Sequence, residues 1–592
     1  MRRLIIVLIL MVVSAVAGAQ EETAEAVMRY YRVESEEMLD GYEVERLGAY
    51  VRNPLKINLH SVSRLEESGL FTHYQIVSLA DYMERHGDIM SLTELSAVDG
   101  FGWDFVNRLA PFISLETYRL PSDRRGRTMA WNHELSMKTA MKSGKGTTYG
   151  LKYRSEAGDR LGISFALSGT AATGNALAGN MVWRFRKTDG YLVAGDYNAR
   201  FGQGLALWNG MSMGGITAPS SLMKRPGGIS ASSSYTGSYS LRGVAGSLNA
   251  GKMKFSALMA LSSPDDGIPV LSGTNVSFFL RNGQISATHY AEVSLSAVGS
   301  SMTDMKTSAD CSFCFMGTDV FAETAYDWNS NAMAFLAGSV FPAGDDVKLG
   351  VTARAYPSDY SSERSSALRS LTKCSNEYSL SFAAEFSTGK WMELNRVSSF
   401  MSSVRRHAGV FTLDAACFPV HEDDGDVGRL QIKTRADYAV YFNDLWNLEI
   451  RLSERIRTWD DPFRTEIRSD MTYDSGIFAA TLRMNVVKCV DWSFLSYAET
   501  SLKNANGALF LRLGFFHADD WEDRIYAYER DAPGSFNVPA YYGRGVWTAI
   551  TLRWRFFRWG KVYLRAAATS YALMKEEKPG KAELKLQFEF DF

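Results

Sequence analysis

The last nine residues, LKLQFEFDF (584–592), alternate strictly between apolar and polar side chains. Successive side chains of a β-strand point to opposite faces, so this segment predicts a strand with one wholly apolar and one wholly polar face. A soluble sheet packs such an apolar face onto a core, whereas an outer-membrane barrel turns it towards lipid. The chain stops on the aromatic Phe592, a feature that resembles the terminal assembly signal of bacterial outer-membrane barrels.

The same two-residue rhythm recurs elsewhere. Apolar Ile550, Leu552, Trp554 and Phe556 interleave with Thr551, Arg553 and Arg555, and similar alternation runs through 181–186, 430–440 and 448–453. Ten residues at about 3.3 Å each cross a tilted path through a hydrocarbon core of roughly 25 to 30 Å. After residue 19 no apolar run is long enough for a membrane helix, so a membrane-embedded chain would have to be a closed barrel with internally paired backbone groups.

We therefore expect a mainly β protein that forms a transmembrane antiparallel β-barrel over residues 121–592. The expected partner of its outer surface is outer-membrane lipid. Aromatic residues make up 12% of the chain, which suits the girdles that flank a lipid-facing band. About 470 residues at roughly 25 to 30 per strand and connection predict an even number of strands, about 14 to 20. A soluble secreted all-β protein is the alternative.

The first 19 residues have the pattern of a signal peptide. Arg2 and Arg3 precede an apolar run from Leu4 to Val16, and small residues follow at 17–19. An uncleaved anchor is the alternative, although the run is short for a spanning helix. An acidic helical segment at 20–55 and a small all-α domain at 56–118 are expected between this signal and the barrel. The expected location is the outer membrane, with the N-terminal domain in the periplasm.

Charge is divided unevenly along the chain. Residues 20–116 contain 18 Asp and Glu against 8 Lys and Arg, a net charge of −10. The remaining mature chain has 54 basic and 48 acidic residues, a net charge of +6. We hypothesise that the acidic unit docks onto or into the periplasmic end of the barrel. Two separately solvated surfaces are the alternative.

The helical segment carries a recognisable order of motifs. INLHSVSRLEESG opens it, YMERHG and SLTEL form its centre, and VDGFG makes a glycine-rich turn before a final amphipathic helix. This order resembles the ComEA-like tandem helix-hairpin-helix domain. In DNA-binding members of that family, such turns bring backbone N–H groups to phosphate at a helix N-terminus. The resemblance marks Gly100 and Gly102 as the phosphate-contacting turn.

Several features argue against a DNA grip here. The first hairpin reads SGLFTHYQ and has only Gly69 where the family has a glycine pair, and Trp103 and Asp104 follow Gly102. Residues 56–116 contain 4 basic and 9 acidic residues, a net charge of −5. Lys and Arg neutralisation of phosphates supplies most non-specific DNA affinity, so DNA is a disfavoured partner. We favour docking to a protein partner in the periplasm or outer membrane.

Two stretches of the barrel differ from ordinary lipid-facing strands: GDYNARFGQGLALWNG (195–210) with KRPGGIS (224–230), and DRIYAYERDAPGSFNVPAYYGRG (523–545). Asp196, Asn198 and Arg200 share one parity of a strand, which predicts a lumen polar cluster that anchors an inward segment at Lys224 and Arg225. Ordinary lumen polarity is the alternative. The second stretch predicts an extracellular loop that either recognises a ligand or packs on itself, through Arg524, Tyr526, Tyr528, Tyr541, Tyr542 and Arg544.

Together with the helical segment, these stretches resemble a Bacteroidetes family of outer-membrane proteins named only for the helix-hairpin-helix domain. The resemblance covers the mature chain and implies architecture and compartment rather than an activity.

The cysteines and histidines add little chemistry. Cys311 and Cys314 form a lone C-x-x-C in an expected loop, where a disulfide is the favoured interpretation in an oxidising compartment. No zinc spacing, H-E-x-x-H, G-x-S-x-G or Walker motif is present, so we expect no metal, no cofactor and no enzymatic activity. The predicted function is transport, assembly or envelope organisation through a protein partner. A DNA-uptake component and a barrel enzyme are the alternatives.

Overall fold

The structure is a computed structural model that describes most of the chain. The described residues are 23–31, 47–51, 54–59, 62–117, 131–158, 160–170, 174–185, 188–210, 215–234, 240–261, 268–296, 299–344, 346–360, 363–388, 406–420, 428–442, 445–459, 463–504, 506–532, 537–557, 559–571 and 579–592. The expected signal peptide and much of the acidic segment at 20–55 lie outside these ranges.

Within the described residues, 24 antiparallel strands close into a barrel. The wall strands are β3 (Trp131–Lys142), β4 (Lys145–Ala157), β5 (Leu161–Thr170), β6 (Gly174–Arg184), β7 (Gly190–Arg200), β9 (Leu241–Ala250), β10 (Met253–Leu261), β11 (Ile268–Leu280), β12 (Gly283–Ser296), β13 (Gly299–Phe315), β14 (Thr318–Asp327), β15 (Ala332–Pro342), β16 (Val347–Tyr356), β17 (Glu377–Thr388), β18 (Arg406–Phe418), β19 (Arg429–Tyr441), β20 (Trp446–Arg457), β21 (Phe463–Asp474), β22 (Phe478–Lys488), β23 (Trp492–Asn504), β24 (Gly507–Ala518), β27 (Gly543–Phe557), β28 (Gly560–Ser570) and β29 (Lys581–Asp591). Short strands β8 (Gly228–Ala231), β25 (Ile525–Tyr526) and β26 (Ala540–Tyr541) belong to connections between wall strands. The last wall strand pairs with the first, Phe588 opposite Met137, which closes the ring.

The alternation predicted from sequence is confirmed as a two-faced wall. Trp554, Leu452 and Leu584 are each about half exposed on the outer surface, whereas Gln587 and Glu589 are buried on the inner side. An apolar outer face and a polar inner face are what lipid outside and water inside require. The predicted strand number was wrong, because many connections, such as 143–144 and 251–252, are two-residue turns that need fewer residues than we allowed.

Antiparallel order gives the barrel two distinct ends. The first wall strand begins, and the last ends, at what we call the terminal end. The long connections 357–376 and 519–542 leave from the opposite end, which we call the loop end, whereas connection 201–240 begins where β7 has left the wall. The described parts of all three pack inside the barrel.

A compact helical unit precedes the barrel. Its helices are α1 (Thr23–Tyr31), α2 (Val62–Ser68), α3 (His73–His86), α4 (Leu92–Ser96) and α5 (Gly102–Leu109), with a helical stretch at 47–51 and a 3-10 turn at Ala110–Phe112. Strands β1 (Leu55–Lys56) and β2 (Ile113–Ser114) pair in parallel and join the two ends of the unit. The Asn58 amide donates to the carbonyls of Ile89 (2.9 Å) and Leu115 (3.1 Å), so a single side chain ties three segments around one apolar core.

No described helix has the length and apolar character that a bilayer crossing requires.

The expected disulfide between Cys311 and Cys314 is wrong. Both residues lie in β13 rather than in a loop, and both are free thiols. Residues three apart on an extended strand point to opposite faces and are about 10 Å apart, whereas a disulfide needs Cα atoms within about 7 Å.

We expect both thiols to react with iodoacetamide when the purified protein is unfolded without reductant. The mass of the tryptic peptide that contains Cys311 and Cys314 measures this, with a reduced and alkylated sample as the reference. A peptide that takes up label only after reduction would contradict the strand geometry.

Candidate functional site

The polypeptide chain enters the lumen at β7, because this strand leaves the wall halfway along its length. Residues 190–197 of β7 pair with the wall strand β9, but 197–200 pair with the inner strand β8. The bend occurs at Gly195, which has φ +107° and lies so close to β6 that a Cβ atom would be 2.2 Å from the carbonyl oxygen of Gly179. Only glycine fits this bend.

Asp196 seals the gap that this departure opens. Beyond Asn180, β6 has lost its neighbour, and the Asp196 carboxylate accepts from the Gly179 N–H (2.6 Å). The same carboxylate accepts from Arg242 Nε of β9 (2.9 Å), whose side chain lies on the outer face of the wall. Asp196 therefore joins β6 to β9 and lies apart from Asn198 and Arg200, with which the sequence grouped it.

Asn198 and Arg200 do lie inside the barrel, around Asn209. Asn209 Nδ2 donates to Asn198 Oδ1 (2.9 Å), and Arg200 Nε donates to the Asn209 carbonyl (3.2 Å). The Arg200 guanidinium also lies 5.7 Å from the centre of the Trp208 ring. These contacts turn residues 201–210 back on β7 as a tight inner loop.

Glu323 of β14 holds this loop against the wall. Its buried carboxylate accepts from the backbone N–H groups of Gln203 (2.7 Å) and Leu205 (3.0 Å). Gly202, at φ +58°, approaches so closely that a Cβ atom would lie 2.8 Å from the carboxylate. Sequence reasoning missed Glu323. A carboxylate on a strand gave no signal that it would meet a loop 120 residues away.

Lys224 fastens the next part of the connection to the same loop. Its backbone N–H donates to Gln203 Oε1 (2.8 Å), and its ammonium donates to the Ser366 carbonyl and lies 4.4 Å from the Trp208 ring centre. Because burial removes water from the ammonium, the pKa of Lys224 falls to about 7.

The connection 357–376, which sequence reasoning also missed, interlocks with this arrangement. Tyr360 Oη donates to the Leu205 carbonyl (2.8 Å), and the Trp208 N–H donates to the Arg364 carbonyl (2.9 Å). Arg364 in turn pairs with Glu292 of β12 (2.7 Å). The serine-rich composition of this segment indicates a loop, but nothing in it indicates that the loop turns inward.

The third connection, 519–542, packs on itself and on the wall. Tyr541 is buried against Trp547 (ring centres 4.4 Å apart), and its hydroxyl donates to Glu529, which also binds Arg565. The Tyr528 carbonyl accepts from Arg512 (2.5 Å). The Tyr541 and Tyr528 contacts match the self-packing alternative rather than an open recognition loop.

The remaining predicted residues of this loop are grouped around Trp521 and Asp519 near the start of the connection. Arg524 stacks on Trp521 (4.7 Å) and donates to the hydroxyl of Tyr526 (3.0 Å), while Tyr542 packs edge-on against Trp521. Arg544 forms an ion pair with Asp519 (2.5 Å) and holds the pKa of that carboxyl well below its usual range.

The helical unit contacts the barrel at the terminal end. Glu66 of α2 pairs with Lys254 of β10 (2.8 Å), and both side chains are about nine-tenths buried. Arg225 donates to the hydroxyl of Tyr30 in α1 (2.8 Å). Arg225 belongs to connection 201–240, which begins inside the lumen after β7 has left the wall, so this connection links the inner loop to the helical unit.

The glycine turn of the helical unit is exposed. Gly100 (φ +83°) and Gly102 (φ +62°) adopt the left-handed conformation, and Gln75 Nε2 of α3 donates to the Gly100 carbonyl (2.7 Å). Trp103, just after the turn, is 55% exposed.

A closed wall with an apolar outer face, partly filled by its own inward loops, defines an outer-membrane-type β-barrel. No family model and no curated protein matches the chain. Among solved structures, the chain is similar to the translocation pore of the P pilus usher PapC, with 10% identity over 78% of this chain and 99% of that one and a TM-score of 0.35.

It is also similar to the siderophore receptor PirA from Pseudomonas aeruginosa (7% identity, 78% and 81% covered, TM-score 0.40). A third similar structure is OpdK from Pseudomonas aeruginosa, solved with vanillate (9% identity, 78% and 98% covered, TM-score 0.26).

We expect Glu323→Leu to loosen the inner loop while leaving the barrel closed. The N–H groups of Gln203 and Leu205 donate to the same carboxylate oxygen, and leucine has no acceptor to replace it. An unsatisfied buried donor costs about 1 to 3 kcal/mol. Hydrogen exchange of these two N–H groups should accelerate by about 10- to 100-fold. Glu156→Leu, in a different sector of the wall, is the control, and equal exchange in both variants would contradict the assigned role.

Proposed function

We propose that the protein is a gated conduit of the outer membrane, non-enzymatic, whose lumen is closed at rest by its own loops and by the helical unit. In this proposal the terminal end faces the periplasm, because long connections of outer-membrane barrels are extracellular and short turns periplasmic. The observation that carries the proposal is the chain of contacts from Glu323 through the inner loop and Arg225 to Tyr30 of the helical unit.

The proposal includes the identity of the helical unit as a periplasmic helix-hairpin-helix domain of the ComEA-like type, in a chain of the Bacteroidetes outer-membrane family. The left-handed turn between α4 and α5 supports the hairpin. Such a unit would be moved by a protein partner in the periplasm or outer membrane. The acidic unit binds the basic barrel through a buried ion pair, which suits this role. A partner that displaces the unit can replace the lost charge contacts with its own.

The Glu66–Lys254 and Tyr30–Arg225 contacts are the latch in this proposal. We expect a variant that combines Glu66→Gln, Lys254→Met and Arg225→Ala to conduct ions more frequently than the wild type in planar lipid bilayers. Removing both members of the ion pair avoids leaving a lone buried charge, which would destabilise the fold itself.

Arg85→Ala is the matched control, because Arg85 forms an exposed ion pair with Asp81 within the same unit. Exposed pairs of this kind contribute about 0 to 1 kcal/mol. A correctly inserted latch variant whose conductance equals that of the wild type would contradict the gating role.

DNA uptake is the competing proposal, which the exposed glycine turn favours and the charge of the unit opposes. We expect the full-length protein in detergent to leave the anisotropy of a labelled duplex unchanged at low ionic strength, because a net charge of −5 at residues 56–116 repels phosphate. Binding that weakens steeply as salt rises, and that is lost with Gly102→Val, would favour DNA uptake instead.

A further inference from the structure

Three cations stand side by side on the inner wall. The register places Lys433 of β19 opposite Arg455 of β20, and Arg455 opposite Arg464 of β21. Directly opposed residues of antiparallel strands have Cβ atoms about 4.5 to 5.5 Å apart, and like charges in these positions destabilise a sheet. We call these three residues the cation row.

The side chains at the two ends of this row donate hydrogen bonds to backbone carbonyls. The Lys433 ammonium donates to the carbonyl of Ser370 (2.7 Å). Arg464 donates to the carbonyls of Glu522 (2.5 Å) and Arg524 (2.9 Å). Neutral carbonyls orient these cations, but they do not cancel their charge.

Acids also lie beside the row. Asp414 of β18 lies opposite Lys433 in the register, and its carboxylate accepts from Arg354 (2.5 Å) and from Ser381 (2.8 Å). Glu466 of β21 accepts from the side-chain amide of Asn485 (2.8 Å). The space in front of the row is lined by five cationic side chains (Arg369, Lys433, Arg435, Arg455 and Arg464) and three carboxylates (Asp414, Glu454 and Glu466), which gives a net charge of +2.

The wall next to the row is also rich in arginine. Two aspartates each bridge two guanidinium groups at 2.5 to 2.6 Å: Asp437 with Arg435 and Arg451, and Asp470 with Arg468 and Arg483.

The row faces a cavity of about 650 Å³ between the wall and the inward loops. Loop residues 215–217 and 369–372 form one side, and the hydroxyls of Thr412 and Ser453 lie on the other. A volume of this order accommodates a small organic solute, since ligand sites measure about 300 to 1,000 Å³. The cavity thus combines positive charge, hydroxyl donors and space.

We propose that this cavity binds small solutes that carry two or more oxyanion groups, carboxylate or phosphate, and that the cation row is the anion-selecting point of the lumen. Guanidinium and ammonium donors match such oxygens in charge and geometry. Passage of these anions rests on the proposed conduit function, but their binding does not, so the two proposals can fail separately.

The test is calorimetric titration of the whole detergent-solubilised protein with citrate and, separately, with pyrophosphate at low ionic strength. We expect saturable binding that weakens as salt rises. Lys433→Gln combined with Arg455→Gln should lower the affinity at least tenfold. Lys503→Gln, which removes a cation near the terminal end outside the cavity, should leave it unchanged.

A second variant guards against misfolding of the first. Ser453→Asp keeps every cation and places a carboxylate in the cavity wall, so it should weaken binding as well. Binding of either probe that depends on the row supports the proposal and identifies the favoured oxyanion. Equal affinity in the wild type and both variants, or no binding of either probe by the folded wild type, overturns it without bearing on conductance.

Discussion

A strand that faces hydrocarbon must have its backbone groups paired on both edges, and this requirement governs the whole molecule. Closure of the ring through β29 and β3 satisfies it over most of the wall. The exception is β7, which turns inward at Gly195 and leaves β6 without a neighbour. The Asp196 carboxylate replaces the missing strand there by accepting the Gly179 N–H. A charged side chain in a seam of the wall thus follows from the backbone requirement, and it is what lets the chain enter the lumen.

A ring of 24 strands is too wide for its own side chains to fill, since about eight strands already give an interior that side chains just occupy. The inward loops supply the missing volume, but they bring backbone groups that need partners. Glu323 meets this need for one loop by accepting two N–H groups. Asp523 meets it for another connection by accepting the N–H groups of Cys489, Val490 and Asp491. Glu323 and Asp523 therefore act as anchors for loop backbone.

The alternation of side chains predicted the barrel from sequence because a period of two is a local property of strands. It could not predict the strand number, which depends on how short the turns are, or the seam role of Asp196. Asp196 was assigned to the lumen, but it keeps the outward parity of Leu192 and lies opposite Arg242 on the outer face of β9. Asn198 and Arg200 do lie inside the barrel, because β7 turns inward at Gly195. Loop 357–376 and Glu323 were missed because their pairing joins residues more than 100 positions apart, and no local pattern encodes such a contact.

The cation row and the ion pair that holds the helical unit lie in different sectors of the barrel. This separation lets an acidic helical unit close a lumen that binds anions. The acidic helical unit is seated on β10 through the Glu66–Lys254 pair, whereas the cation row lies on β19 to β21. At physiological ionic strength charges are screened beyond about 8 Å, so the row does not hold the helical unit at a distance. The buried pair is screened much less, and it depends on contact rather than on net charge. An anion can therefore bind the cation row while the helical unit stays bound to the barrel. Release of the helical unit requires a competing contact at Glu66 or Tyr30.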